Sequence, residues 1–118
     1  MKTKYALIDA KEPDEAILAE AAAAIIKGQV VVCPTDTGYA FCANATDVNA
    51  ISRIYRLKVR PSKNPIHIAV KDINEAARYA VVDDTARFLA KKYLPGALTL
   101  VMKKRENIPG LLVSGLDT

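Results

Sequence analysis

The chain has 118 residues, 51% of them hydrophobic, and a net charge of +4, which fits one globular domain able to bury its own core. Its two cysteines, Cys33 and Cys42, show no Cys-x-x-Cys spacing. That argues against a zinc site or a disulfide framework and suits a reducing compartment. No apolar run is long enough to span a bilayer, and the start of the chain lacks the apolar stretch of a signal peptide; the expected location is the cytoplasm.

Residues 5–8 read as a short strand. Residues 11–27 follow as an alanine-rich helix, with acids and Pro13 near its start and Gly28 as its stop. The apolar, β-branched run 29–33 between Gly28 and Pro34 predicts a buried strand. Residues 34–44 begin as a loop. Asp47 is placed to cap a helix over 48–57, with Ile51, Ile54, Tyr55 and Lys58 near one face. Pro61 and Pro65 exclude regular structure between them. A strand over 66–70 comes next, then a short helix opened by the capping-box spacing of Asp72 and Glu75. Asp83 or Asp84 caps a further helix to about residue 93, stopped by Pro95 and Gly96. Residues 97–103 read as a last strand. This alternation predicts an α/β or mixed α+β domain, an open twisted sheet with flanking helices.

Charge is distributed unevenly. No acidic residue lies between Asp47 and Asp72, whereas Arg53, Arg56, Lys58, Arg60, Lys63 and Lys71 do. Such a local excess suits phosphate groups or nucleic acid, though a solvated basic face would read the same way. Within it, Lys58-Val-Arg-Pro-Ser-Lys-Asn-Pro65 is a loop stiffened by prolines. Arg60 offers a planar fork to phosphate oxygens and Lys58 a compact charge; Ser62 and Asn64 add neutral hydrogen-bonding groups. Two fixed cations of this kind stabilise charge developing at a transferring phosphoryl or nucleotidyl group.

A second polar cluster, Pro34-Thr-Asp-Thr-Gly-Tyr39, follows a predicted buried strand, where ligands gather in α/β folds; its residue types also suit an ordinary turn. His67 is the only histidine, and alternation sets it opposite Ile66 and Ile68. An acid–base or substrate-orienting role and a half-buried strand histidine are both open to it. No Gly-x-x-x-x-Gly-Lys or Gly-x-Gly-x-x-Gly loop is present, so a bound nucleotide would use neither a P-loop nor a Rossmann turn.

Together Pro34-Thr-Asp-Thr-Gly-Tyr39, Arg53-Ile-Tyr-Arg-Leu-Lys58, the loop 58–65 and Leu94-Pro-Gly-Ala-Leu-Thr99 resemble the YrdC family, in order and spacing. Its best-known members are threonylcarbamoyl-AMP synthases. The resemblance implies a YrdC-like fold with a basic concave face. It implies L-threonine, bicarbonate and ATP as substrates, with Mg²⁺ assisting, and threonylcarbamoyl-AMP and pyrophosphate as products. The product serves tRNA threonylcarbamoyladenosine modification, which brings in tRNA or double-stranded RNA and tRNA-modification proteins as partners, and no membrane.

By the same resemblance Lys58 and Arg60 are catalytic, and Lys58, Arg60, Asn64 and Thr118 meet ATP. Thr37 meets threonine, with Thr35, Tyr39 and His67 lining the same pocket. Typical synthases read Thr-Val-Tyr-Gly where this chain reads Thr37-Gly-Tyr-Ala40, a form similar to the YciO branch. That branch usually lacks the Lys-x-Arg pair kept here, and it motivates an alternative, a non-catalytic module binding double-stranded RNA or tRNA. The family pattern continues with an arginine-bearing strand and a Ser-x-Asn motif, so residues 1–118 are expected to be the N-terminal part of a single YrdC-like domain, incomplete at its C-terminus.

Overall fold

A computed structural model describes residues 2–59 and 61–118. They form a mixed α/β structure of four helices and one small antiparallel sheet. The residues group into two compact units, one ending at Asn44 and the other Ala45–Thr118.

The first unit holds α1 (Glu15–Ile26) and a hairpin of β1 (Val31–Pro34) and β2 (Tyr39–Cys42). The helix starts at Glu15 rather than at residue 11 because Asp14 is its cap. The Asp14 carboxylate accepts from the amides of Ala16 at 2.8 Å and Ile17 at 3.2 Å. Satisfying two otherwise unpaired donors fixes the start, worth about 1 kcal/mol. The helix stops at Lys27, before Gly28. β1 begins two residues after the start of the predicted strand and pairs with β2 in the register Val31↔Cys42, Val32↔Phe41, Cys33↔Ala40, Pro34↔Tyr39. Strand β2 (Tyr39–Cys42) is an addition to the sequence reading, which assigns residues 39–42 to no element.

The second unit holds α2 (Val48–Leu57), α3 (Ile73–Ala76) and α4 (Asp84–Tyr93). Each is capped by the aspartate before it. Asp47 accepts from Asn49 and Ala50, Asp72 from Glu75, and Asp83, rather than Asp84, from Ala86. Helix α2 buries Ala50, Ile51, Ile54 and Tyr55. Ile51 and Tyr55 join Ile108, Leu112 and Val113 in the core cluster, with Ile66 and Ile68 packed against it. After α4, Gly96 is required on steric grounds, since a Cβ there would lie 2.5 Å from the Tyr93 carbonyl oxygen.

Three predicted strands carry no ladder among the described residues: 5–8, 66–70 and 97–103. The last keeps the strand period, with Leu98, Leu100 and Met102 half-buried and Thr99, Val101 and Lys103 exposed. Side-chain alternation is written into the sequence, but a ladder also needs a neighbouring backbone. Here the backbone bonds are isolated: Ile66 donates to Leu112 at 2.9 Å, Val81 to Lys103 at 2.8 Å, and Ala80 and Lys104 form a single antiparallel bridge. No helix among the described residues is long and apolar enough to cross a membrane.

Candidate functional site

The two polar clusters singled out from sequence lie in different units, and each has its own geometry.

In the first unit, residues 35–38 close the β1–β2 hairpin. The Thr35 amide and hydroxyl both donate to the Gly38 carbonyl, at 2.6 and 2.9 Å, and the Thr37 amide approaches Thr35 Oγ1 at 3.4 Å. The Thr35 hydroxyl proton is thereby committed to the loop, so Thr35 shapes the turn. Thr37 is exposed at the turn, and Tyr39 is 81% exposed on the hairpin face shared with Val32 and Phe41. The structure thus brings Thr35, Thr37 and Tyr39 to one hairpin end. Gly38 has φ +157°, a region that essentially only glycine occupies, although a Cβ there would meet nothing within 4 Å. Backbone conformation, and not space, requires glycine.

The opposite face of the hairpin carries Val31, Cys33, Ala40 and Cys42, all half-buried. Both cysteines are free. Partial burial, with the neighbouring Cys42 sulfur adding to it, pushes the Cys33 thiol up to about 11. At neutral pH this is a protonated, weakly nucleophilic thiol.

In the second unit, Lys58 is the C-terminal cap of α2 and is exposed. Arg60 lies outside the described residues. Beyond it the chain makes a turn in which the Asn64 amide donates to the Pro61 carbonyl at 3.1 Å. This turn is tied to the segment 111–115. Ser114 Oγ donates to the Ser62 carbonyl at 2.6 Å, and the Tyr55 hydroxyl reaches the carbonyls of Asn64 at 2.9 Å and Leu111 at 3.2 Å. Beside the loop lies an open groove of about 570 Å³, bordered by Ser52, Arg56, Val59, Ser62 and Leu111. Lys58 stands at the end of α2, whereas Asn64 is carried on a braced turn, 61–64. His67 follows it, exposed between half-buried Ile66 and Ile68. Thr118 is exposed too, next to Asp117, whose carbonyl accepts from the Lys104 amide at 2.9 Å.

Sequence reasoning missed Ser114, and it read Tyr55 only as part of an apolar stripe. One signal was available. Val59 stands directly after the α2 cap, where helices ordinarily place glycine in a left-handed conformation. Val59 adopts that conformation, with φ +49°.

Residues 23–118 match the Sua5, YciO and YrdC family model, described as telomere recombination. The chain belongs to this family. It is 41% identical over 99 residues to a threonylcarbamoyl-AMP synthase of Pyrococcus abyssi, covering 83% of this chain and 29% of that protein. It is 31% identical over 111 residues to the YciO protein of Escherichia coli, covering 94% of this chain and 54% of that protein. A solved structure of P. abyssi Sua5 complexed with L-threonine superposes with a TM-score of 0.82 at 39% identity, covering 90% of this chain and 32% of that one. The family's fold is therefore the fold of this chain, which spans about half, or less, of the length of these relatives.

Proposed function

We propose that the protein is an L-threonylcarbamoyladenylate synthase, serving tRNA threonylcarbamoyladenosine modification. The observation that carries this reading is the likeness to a Sua5 structure complexed with L-threonine. The synthase names of relatives point the same way.

In the proposed reaction the amine of L-threonine combines with bicarbonate to give a carbamate and water. A carbamate oxygen then attacks the α-phosphorus of ATP. The bond from that phosphorus to the oxygen bridging the β-phosphate breaks, and pyrophosphate leaves. Charge builds on the phosphorus oxygens and on the leaving group. Lys58 and Arg60 are assigned to stabilise it, with Asn64 and Thr118 also toward ATP. Thr37 is assigned to L-threonine, and so are Thr35, Tyr39 and His67. Thr35 acts by holding the turn closed, since its hydroxyl is already bonded to Gly38. Much of the rate advantage comes from holding the carbamate in line with the phosphorus. The described residues include no cluster of three His, Cys, Asp or Glu side chains to cage a cation. Mg²⁺, which keeps waters and phosphates as ligands, is assigned to the ATP substrate.

The test is pyrophosphate release from ATP by the protein. Release should need both L-threonine and bicarbonate. Arg60→Ala should remove most of it, on the order of 10²-fold or more, and Arg53→Ala should leave most of it. Release that ignores threonine, or no release from the folded full-length protein, would sink the proposal.

The YciO match and Gly38 favour a second reading, a non-catalytic module binding double-stranded RNA or tRNA through the basic stretch 53–71. Its signature would be RNA binding that weakens steeply with salt and ignores ATP.

A further inference from the structure

We propose that Cys33 and Cys42 form a dithiol site for one soft monovalent cation of the Cu(I) class, which clips β1 to β2 at the base of the 35–38 turn. The inference is independent of the proposed reaction and uses residues of the first unit alone.

Strand register puts the two sulfurs together. Cys33 pairs with Ala40 and Cys42 with Val31, so the cysteines are diagonal neighbours on one face of the hairpin. Cys42 Sγ leans back along its own strand and donates to the Ala40 carbonyl at 3.8 Å, toward the residue that pairs with Cys33. The thiols are close enough for a hydrogen bond between them. Both residues are half-buried, so an ion can reach the sulfurs without the hairpin opening.

Spacing decides what the pair can hold. Diagonal neighbours across an antiparallel ladder have Cα atoms about 7–8 Å apart. A disulfide, with an S–S bond of about 2 Å, bridges Cα atoms only up to about 7 Å apart, so closing one here would need the backbone to move. A metal between the sulfurs lengthens the bridge. Two metal–thiolate bonds of about 2.3 Å each span about 4.6 Å.

Ligand number narrows the choice of metal. Zn²⁺ takes four ligands in a closed site, and no group of three His, Cys, Asp or Glu among the described residues could hold a metal. Two sulfurs in line suit a soft ion satisfied by two ligands. Softness is also needed because the ion must displace a proton, which Cys33 keeps until about pH 11. Mg²⁺ and Ca²⁺ prefer oxygen and do not compete.

A clip has a structural use at this place. Every buried hydrophobic residue among those described lies in the second unit, and α1 buries none. A unit without a packed core is where a cross-link contributes most to stability.

The experiment titrates the reduced protein anaerobically with Cu(I) against a chelator of known affinity, and repeats the titration in Cys33→Ser, Cys42→Ser and Cys42→Ala. One ion should bind per chain. Each substitution should weaken binding by about a hundredfold or more, because losing a group that merely orients a ligand already costs about 10–100-fold. A loss confined to one of the two positions, or Zn²⁺ binding as tightly as Cu(I), would overturn the two-sulfur site. Chemical denaturation, followed at the amides of residues 31–42, separates a built site from two thiols that any chain would offer. Saturating Cu(I) should raise the midpoint of the unmodified protein and leave the variants unchanged, since the folded hairpin holds the sulfurs at binding distance. An unchanged midpoint in the unmodified protein would mean that the unfolded chain binds the ion equally well, and would overturn the clip.

Discussion

The two polar loops are built in opposite ways. The turn 35–38 is closed by bonds between residues three apart or fewer, Thr35 to Gly38 and Thr37 to Thr35. The turn 61–64 is held from a distance, by Tyr55 within the core and by Ser114, 52 positions along the chain from Ser62. The surroundings differ as well. Every buried hydrophobic residue among those described lies in the second unit, and α1 buries none. By sequence the second unit carries thirteen Lys and Arg against seven Asp and Glu, whereas the first carries four against six. A locally closed turn that is not basic suits a small zwitterion such as an amino acid. A basic loop braced by the core suits a polyanion, whose binding would otherwise be spent on ordering the loop.

The largest expected effect breaks this comparison at the core. Leu112→Ala should destabilise the protein by about 2–5 kcal/mol, because Leu112 is 4% exposed within the cluster that carries Tyr55. Leu18→Ala in α1, at a site already 46% exposed, should cost less than about 1 kcal/mol. Chemical denaturation of both variants measures the contrast. Similar losses would mean that the first unit holds a core equal to the second.

A smaller effect sharpens the local side. Gly38→Val forces a β-branched side chain into φ +157°. The strain should cost about 1–3 kcal/mol and reopen the 35–38 turn. Weakened threonine binding with unchanged ATP binding would be read by calorimetry. Unaltered stability would show that the turn has a second conformation open to valine.

The smallest effect belongs to Cys33. Its folded thiol titrates near 11, above the ordinary value of 9.0, so the protonated form is favoured in the folded state. This contribution is complete below about pH 9 and is lost as pH rises to about 11. Denaturant midpoints should fall across that window, modestly because the group is only partly buried, and the fall should shrink in Cys33→Ser.

Much of this organisation can be read from the sequence, and the parts that cannot share a physical cause. Asp47 and Asp72 are visible as caps because capping is a local transaction between a side chain and amides two or three residues on. The acid-free stretch from Asp47 to Asp72 is visible by counting. Strand β2 was missed because residues 39–42 look like a strand only once β1 is there to pair with them. The expected strands at 66–70 and 97–103 failed for the converse reason: their alternation is real, but pairing depends on a neighbour that alternation does not specify. Ser114 was invisible because nothing near it in sequence marks a contact with Ser62.

The most direct measurement of the central claim is a backbone amide chemical-shift map with each ligand added separately. L-Threonine should move the amides of residues 35–39, and ATP those of residues 58–66, with little overlap between the sets. ATP-induced shifts centred elsewhere, for instance on the groove between α4 and residues 100–103, or threonine shifts that spare Thr37, would contradict the assignment of the two loops.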